Sequence, residues 1–219
     1  MSSYPVGYEA DFAPERSRLT TFFRYLLAIP ALIVCVIWLI LGWLAAVVGW
    51  FALMFTGRYP EGLYNLAASA VRNCGRVNGY MRLITDAYPP FDGGEHPDYP
   101  IRIPIAPPLE KYSRLKVFFR WIIGIPVMLI SYALSILSGI CAMLAWFVIV
   151  FTGKQNQGLQ NGITLGTAYS ARSGAYFMYL TEDWPPFSQE GEGPTMGPAG
   201  PAVPPEAPAA PADPAPPAS

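Results

Sequence analysis

Charged residues are scarce in this sequence, and two long windows, 25–57 and 121–153, contain none at all. Only 13% of the 219 residues are charged, about half the share that is usual in soluble globular domains. Each window is longer than the roughly 18–20 apolar residues that indicate a membrane span. The sequence therefore predicts an all-α integral membrane protein and excludes an ordinary soluble enzyme. The net charge of −1 argues against a nucleic-acid partner.

Residues that carry catalytic or metal-binding chemistry are also few. The single histidine, His96, has no cysteine or second histidine near it in the sequence, which argues against a metal site or a Ser-His-acid triad. Neither apolar window contains a carboxylate, and the sequence has no phosphate-binding loop. We therefore expect neither an enzyme nor a cofactor. We interpret Cys35, Cys74 and Cys141 as small apolar fillers and not as a disulfide framework.

The sequence contains an internal repeat at a shift of 96 residues. The matches include Ser17-Arg18-Leu19 with Ser113-Arg114-Leu115, Ile29-Pro30 with Ile125-Pro126, and Phe55-Thr56-Gly57 with Phe151-Thr152-Gly153. Identities at such residues are not explained by apolar content alone. The repeat predicts four parts of the chain, which are a first membrane repeat at 4–91, a linker at 92–98, a second membrane repeat at 99–187, and a disordered tail rich in proline and alanine at 188–219.

Each apolar window is long enough to cross a bilayer once or twice. A single helix over the whole window would be about 50 Å long, against a hydrocarbon core of roughly 30 Å. A tight helical hairpin that turns at Gly42 would bring Trp38 and Trp43 to the membrane interface and would leave all basic residues on one side. The matching stretch of the second window, 135–139, is also rich in turn residues. We therefore predict a hairpin in each window, with a single span as the alternative.

Local sequence signals add three expectations. Arg24 lies close to the apolar window, and we expect its long stem to snorkel to the headgroups. Pro30 and Pro126 lack a backbone donor and are expected to kink their helices. The repeat openings, 6–12 and 101–106, alternate loosely between apolar and polar residues, so a short two-stranded pairing between the repeats is an open alternative to extended coil.

A more polar stretch with helical periodicity follows each window. In residues 63–84, apolar side chains recur at i, i+3, i+4 and i+7, while Arg72 and Arg76 occupy other faces. An arginine costs about 2.5–3.5 kcal/mol at the bilayer centre, so we predict an amphipathic helix that lies in the membrane interface. The copy at 159–180 is rich in glycine and keeps only Arg172.

Basic residues at the helix ends and on the amphipathic helices are the candidate contact sites. The step Phe-Thr-Gly followed by Arg or Lys is most simply a helix end, with glycine as the cap and the base near the headgroups. A functional interpretation adds that Arg58, Arg72 and Arg76 form a cluster for lipid phosphates. The full set of candidate contacts with lipid headgroups or a partner is Arg58, Arg72, Arg76, Arg82, Lys154 and Arg172.

The ordered proline, glycine, arginine and aromatic positions resemble a bacterial membrane-domain family, domain-of-unknown-function family 4389. The motifs that carry the resemblance are Tyr4-Pro5-Val6, Ser17-Arg18-Leu19, Arg24 followed by residues 26–30, residues 50–60, and residues 85–91. The resemblance covers nearly all of 4–187, in two copies, and it implies a multi-pass membrane protein with no settled activity. The second copy departs from the pattern at 154–156 and has Ala168 in place of Arg72, so binding by these positions is expected from the first copy alone.

These observations together predict a multi-pass protein of the bacterial plasma membrane with both termini in the cytoplasm. We expect a non-catalytic scaffold or interaction module whose partners are membrane lipid and an unidentified protein. The alternative is a transporter or channel subunit, for which Ser131, Ser135 and Ser138 are spaced to line one helix face. Serine and glycine at helical spacing are, however, more often close-packing residues than pore walls.

Overall fold

The computed structural model describes residues 4–186, most of which are helical. The first repeat contains β1 (Glu9–Ala10), α1 (Arg18–Phe22), α2 (Arg24–Leu27), α3 (Ile29–Thr56) and α4 (Glu61–Met81). The second repeat contains β2 (Ile101–Arg102), α5 (Arg114–Phe118), α6 (Arg120–Ile123), α7 (Ile125–Thr152) and α8 (Gln157–Phe177). The tail expected at 188–219 lies outside the described residues, and its disorder stays a prediction.

The central part of each apolar window forms one unbroken helix of 28 residues, α3 or α7, so the predicted hairpin is wrong. Gly42 is buried in the middle of α3, where an added Cβ would lie 2.5 Å from the Cβ of Ala70. In α7, the hydroxyl of Ser138 donates a hydrogen bond to the carbonyl of Ile163 at 3.1 Å. These small residues let neighbouring helices approach closely and do not turn the chain. By length and composition alone, α3 and α7 could each cross a membrane.

Pro30 and Pro126 stand in the first turn of α3 and α7 and not in a helix interior. Proline is tolerated there because the amides of the first turn have no acceptor within the helix. The chain before Pro30 is divided into two short helices, with breaks at Phe23 and Ala28. The expected kink within a longer helix is therefore replaced by breaks that precede each proline.

Glycine ends both long helices, as the sequence predicts. Gly57 and Gly153 adopt φ angles of 71° and 74°, in the left-handed region that residues with a Cβ rarely enter. The chain then turns and α4 runs back along α3, so that Ala70 lies against Gly42 and Tyr80 lies beside Arg24. Each repeat is thus a helical hairpin, whose second arm is the helix that the sequence predicts as amphipathic.

The two repeats are interlocked by reciprocal contacts. The amide of Arg16 donates to the carbonyl of Gly153 at 2.9 Å, next to the C-terminal end of α7. The equivalent amide of Tyr112 donates to the carbonyl of Gly57 at 2.9 Å, next to the C-terminal end of α3. The start of each repeat therefore packs on the end of the long helix of the other repeat. It follows that α3 and α7 run antiparallel to each other.

A two-stranded antiparallel ribbon joins the repeat openings, which confirms the strand alternative. Glu9 pairs with Arg102 and Ala10 with Ile101. The ribbon packs on α4, where Ile101 lies against Gly79 and the neighbouring Ile103 lies against Gly75. Helix α4 therefore lies between α3 and the ribbon, while α8 packs on both α7 and α4.

Candidate functional site

Two buried arginines, one per repeat, hold the C-terminal ends of α4 and α8. Arg24 is 1% exposed, and its Nη1 donates to the carbonyls of Tyr80 and Thr85 at 2.6 and 2.7 Å. Its Nη2 forms an ion pair with Asp86, and its guanidinium carbon lies 4.6 Å from the centre of the Tyr80 ring. The expectation that Arg24 snorkels to the headgroups is therefore wrong, because the carbonyls of the α4 terminus supply its partners.

Arg120 repeats this arrangement at the end of α8. It is also 1% exposed, and it donates to the carbonyls of Tyr176 and Thr181. Glu182 occupies the position of Asp86 and, as Asp86 does from Ser17, accepts from the amide of the equivalent serine, Ser113, at 2.5 Å. Among the described residues, however, Glu182 forms no ion pair with Arg120. Nε and Nη2 of Arg120 have no hydrogen-bond partner among the described residues. Burial lowers the pKa of Arg120, which is consistent with this missing carboxylate contact.

Each arginine binds a turn that contains a strained backbone residue. Leu83 and Tyr179 have φ angles of 67° and 63°, and a left-handed residue that is not glycine costs about 1–3 kcal/mol. Each turn exposes carbonyls at the negative end of a helix, where a cation is favoured. The arginine satisfies these carbonyls, so we interpret Arg24 and Arg120 as structural clamps. The repeat itself carried the signal, since arginine, tyrosine, threonine and an acidic residue recur together at the shift of 96.

The six basic residues predicted as contact sites do not form one cluster. Arg58 and Lys154 are exposed, and each follows the glycine that ends a long helix. Arg76 is 1% exposed and donates to the carbonyl of Gly94 at 2.7 Å. Arg172, its counterpart in the second repeat, is also buried and donates to the carbonyl of Pro186. Burial lowers the pKa of Arg76. Its side chain points into the protein and is not available to a lipid headgroup.

Arg72 and Arg82 remain partly accessible, in different surroundings. Arg72 pairs with Glu95 at 2.7 Å and so helps Arg76 to hold the linker against α4. Arg82 donates to Asn78 at 2.9 Å and to the carbonyl and hydroxyl oxygens of Ser135 at 3.0 and 2.8 Å. Arg58 precedes α4 and Arg72 lies in its middle, about 16 Å further along the helix, so the structure does not bring the proposed phosphate cluster together.

The long helices each have one buried and one exposed face. In α3 the exposed apolar side chains include Ile33, Ile37, Ile40, Leu44, Val47, Phe51 and Phe55. The buried residues on the opposite face are Ala31, Gly42, Ala45, Ala46, Gly49 and Leu53. The exposed apolar side chains of α7 include Leu129, Tyr132, Ile136, Ile140, Met143, Phe147 and Phe151. Apolar surface on this scale is typical of contact with lipid or with a partner.

A polar segment, residues 82–112, runs along the whole length of α3, and we call it the connector. It begins at the Arg24 end, where Asp86 accepts from Arg24. It passes the middle of α3, where Trp38 Nε1 donates to the carbonyl of Phe91 at 2.8 Å. It ends where Tyr112 contacts Gly57. Several charged side chains of the connector are exposed, namely Asp92, Glu95, Asp98, Glu110 and Lys111.

Within residues 4–186, the His, Cys, Asp and Glu side chains form no group of three or more that could hold a metal ion. No curated protein and no solved structure matches the chain significantly. The family described as domain of unknown function DUF4389 matches residues 18–92 and residues 114–189. These two stretches confirm both the internal repeat and the resemblance found in the sequence. The chain therefore belongs to the DUF4389 family and contains two tandem copies of its domain.

Proposed function

We propose that this chain is a non-catalytic membrane scaffold that lies along one face of the bilayer. In this arrangement α3 and α7 are parallel to the membrane plane, and their exposed apolar faces contact the acyl chains of one leaflet. The connector and the ribbon face water, and α4 lies between α3 and the ribbon. The observation that carries the proposal is the course of the polar connector along the full length of α3.

A spanning arrangement conflicts with that course. If α3 crossed the bilayer about its midpoint, Trp38 would lie only about 7 Å from the midplane, well inside a core of roughly 30 Å. The connector meets α3 at this residue, and the neighbouring Asp92 has 61% of its side chain exposed. Moving the helix along its axis would bring another part of the connector into the core, because the connector accompanies α3 from end to end. Each charge at the bilayer centre would cost about 2.5–3.5 kcal/mol.

The arrangement along the surface also accounts for the basic residues at both ends of each long helix. Arg18 and Lys154 flank one end of the antiparallel pair, and Arg58 and Arg114 flank the other. Because the helices lie in the plane, all four bases reach the headgroups of the same leaflet. Anionic lipid is abundant on cytoplasmic faces, which favours that side for the scaffold and for both termini.

The alternative function, a transporter or channel, receives no specific support from the serines that suggested it. Ser138 is buried and bonded to Ile163, and Ser135 accepts from Arg82. Both hydroxyls therefore hold contacts between elements. Ser131 lines a cavity of about 460 Å³ together with Ser135 and Ser170, and a cavity of this size does not by itself form a flux pathway. A scaffold needs only a stable membrane surface and a solvent-facing side on which partners can bind.

Sidedness labelling of single cysteines tests the proposal. Cysteine is placed at Glu15, at Glu61 or at Gly94, in a variant whose native cysteines are replaced by alanine. Glu15 and Glu61 lie near opposite ends of α3 and are both exposed. We expect an impermeant maleimide to label none of the three sites until the cells are opened. Labelling of only one helix end in intact cells would show that α3 spans the membrane and would refute the proposal.

A further inference from the structure

A large cavity lies between the two long helices, under the end of α4. Its volume is about 870 Å³, within the usual range for sites that bind small molecules. The lining residues that matter here are Leu32 and Leu39 of α3, Gly139 and Phe147 of α7, and Met81 and Arg82 near the end of α4. Leu32, Leu39 and Phe147 are exposed residues of the long helices, so in the proposed arrangement the cavity opens toward the leaflet.

The repeat provides an internal comparison, because aromatic rings partly fill the same place in the other half of the molecule. Trp43 stands where the first cavity has Gly139, and its ring stacks on Trp121 at 5.8 Å. Trp121 in turn stacks on Phe177 at 5.3 Å, and Phe177 stands where the first cavity has Met81. Smaller cavities remain on that side, among them two of about 220 and 460 Å³. The fold therefore places its own aromatic rings in this space in one half, which we call the filled side, and leaves the space as one open cavity in the other.

The open cavity also holds a positive charge that no acidic residue balances. Arg82 stands where the filled side has Met178. Its three hydrogen bonds go to uncharged oxygens of Asn78 and Ser135. Among the described residues, no carboxylate forms an ion pair with it. A guanidinium in apolar surroundings favours an anionic oxygen as an additional acceptor.

We propose that this cavity binds one anionic phospholipid, with an acyl chain between α3 and α7 and the phosphate at Arg82. The proposal rests on the membrane-bound arrangement proposed above and adds a specific ligand to it. The apolar walls match the acyl chain, and the unbalanced charge of Arg82 selects the anionic headgroup over a zwitterionic one. Gly139 makes the room, because an added Cβ there would meet no atom within 4 Å.

Lipid retention by the delipidated full chain tests this site. The protein in detergent is mixed with equal amounts of dioleoyl phosphatidylglycerol and dioleoyl phosphatidylcholine, and bound lipid is counted by native mass spectrometry. We expect one phosphatidylglycerol per chain, retained about tenfold better than phosphatidylcholine. Arg82→Met and Gly139→Trp install the residues of the filled side. The first should abolish the preference, and the second should remove the bound lipid, while the control Lys111→Met, at an exposed position of the water-facing connector, should retain it.

Several results would overturn the site. The unmodified chain would overturn it by retaining both lipids equally. Unchanged lipid retention by Gly139→Trp or an unchanged lipid preference in Arg82→Met would do the same. Displacement of the lipid by inorganic phosphate would indicate a site for free anions instead. Circular dichroism checks that both variants keep their helical content. Flotation with vesicles of the same lipids separates this proposal from the previous one, because both variants should still float. If the unmodified chain does not float, the membrane scaffold itself is refuted.

Discussion

Replacing Arg24 by methionine removes the clamp at the end of α4 while keeping a long side chain in its place. The variant loses two hydrogen bonds to the carbonyls of Tyr80 and Thr85 and the ion pair with Asp86. Removal of one partner from a buried ion pair costs about 3–5 kcal/mol. Asp86 keeps 24% of its side chain exposed, so water recovers part of its loss. We therefore expect the free energy of unfolding to fall by about 3 kcal/mol, at the lower end of that range.

The second repeat supplies the matched control, Arg120→Met. Arg120 also donates to two carbonyls, but Glu182 gives it no direct contact, and two of its nitrogen atoms are buried without a partner. Its removal leaves two carbonyls unsatisfied and at the same time relieves the desolvation of those nitrogens. We therefore expect a smaller loss, about 1–2 kcal/mol, from the carbonyls alone.

Urea unfolding in detergent micelles, followed by tryptophan fluorescence, measures the loss of unfolding free energy in both variants. The comparison holds when the unfolding free energy depends on urea concentration with the same slope in each chain. The order of the two effects is the sharper test, because micelle composition changes absolute values. If both variants lose less than about 0.5 kcal/mol of unfolding free energy, their effect is that of an ordinary surface substitution, and the clamp is refuted. A larger loss for Arg120→Met than for Arg24→Met would show that Asp86 does not stabilise the fold.

Three further predictions concern the packing of the helices. The Sγ atoms of Cys35 and Cys74 lie 2.9 Å apart, so copper phenanthroline should join them, and mass spectrometry should find no such peptide pair in Cys74→Ala. If no bridge forms in the unmodified chain, the register of α4 on α3 is wrong. Gly57→Ala should lower the unfolding free energy by about 1 kcal/mol because the φ of Gly57 is positive. Gly62→Ala, in open space in the first turn of α4, should instead raise it by about 0.5 kcal/mol, and equal losses would contradict the cap. The two repeats, expressed as separate chains, should fold only when mixed, and a folded single repeat seen by circular dichroism would contradict the interlock.

Much of the local structure could be predicted from the sequence, because it depends on short-range chemistry. The glycine that ends α3, Gly57, is recognisable since a base follows it and the same step recurs at Gly153. The periodicity of 63–84 predicts α4 to within a few residues. The loose alternation at 6–12 and 101–106 indicated the ribbon, although a choice between strand and coil needed the partner strand.

The errors arose where a distant partner decides the structure. Gly42 is compatible with a turn or with close helix packing, and only the arrival of Ala70 determines which of them forms. Arg24 adjoins an apolar window, so the sequence suggested lipid headgroups as its partners, whereas the carbonyls it binds come 56 and 61 residues later. The contact between Cys35 and Cys74 is equally non-local, since the two residues are 39 positions apart.

In the candidate site, too, the local features could be predicted from the sequence and the contacts between distant residues could not. The exposed bases Arg58 and Lys154 lie at the helix ends where the sequence predicted them. The burial of Arg76 could not be foreseen, because the linker that covers it follows a loop with no periodic signal. The open cavity beside Arg82 is visible only when the two repeats are compared in three dimensions, since it depends on which half carries Trp43.

The orientation of α3 relative to the bilayer is the central claim, and a depth profile along its exposed face tests it most directly. Nitroxide labels are attached at Ile33, Ile40 and Phe51 in a variant without native cysteines, with Glu95 as the water-exposed control. The labelled chains are reconstituted in vesicles, and power saturation with oxygen and a nickel chelate gives the depth of each label. A helix along the surface predicts nearly equal, shallow depths of about 5–10 Å for the three helix positions. A profile in which Ile40 lies deepest, with Ile33 and Phe51 near opposite headgroup regions, would contradict the account.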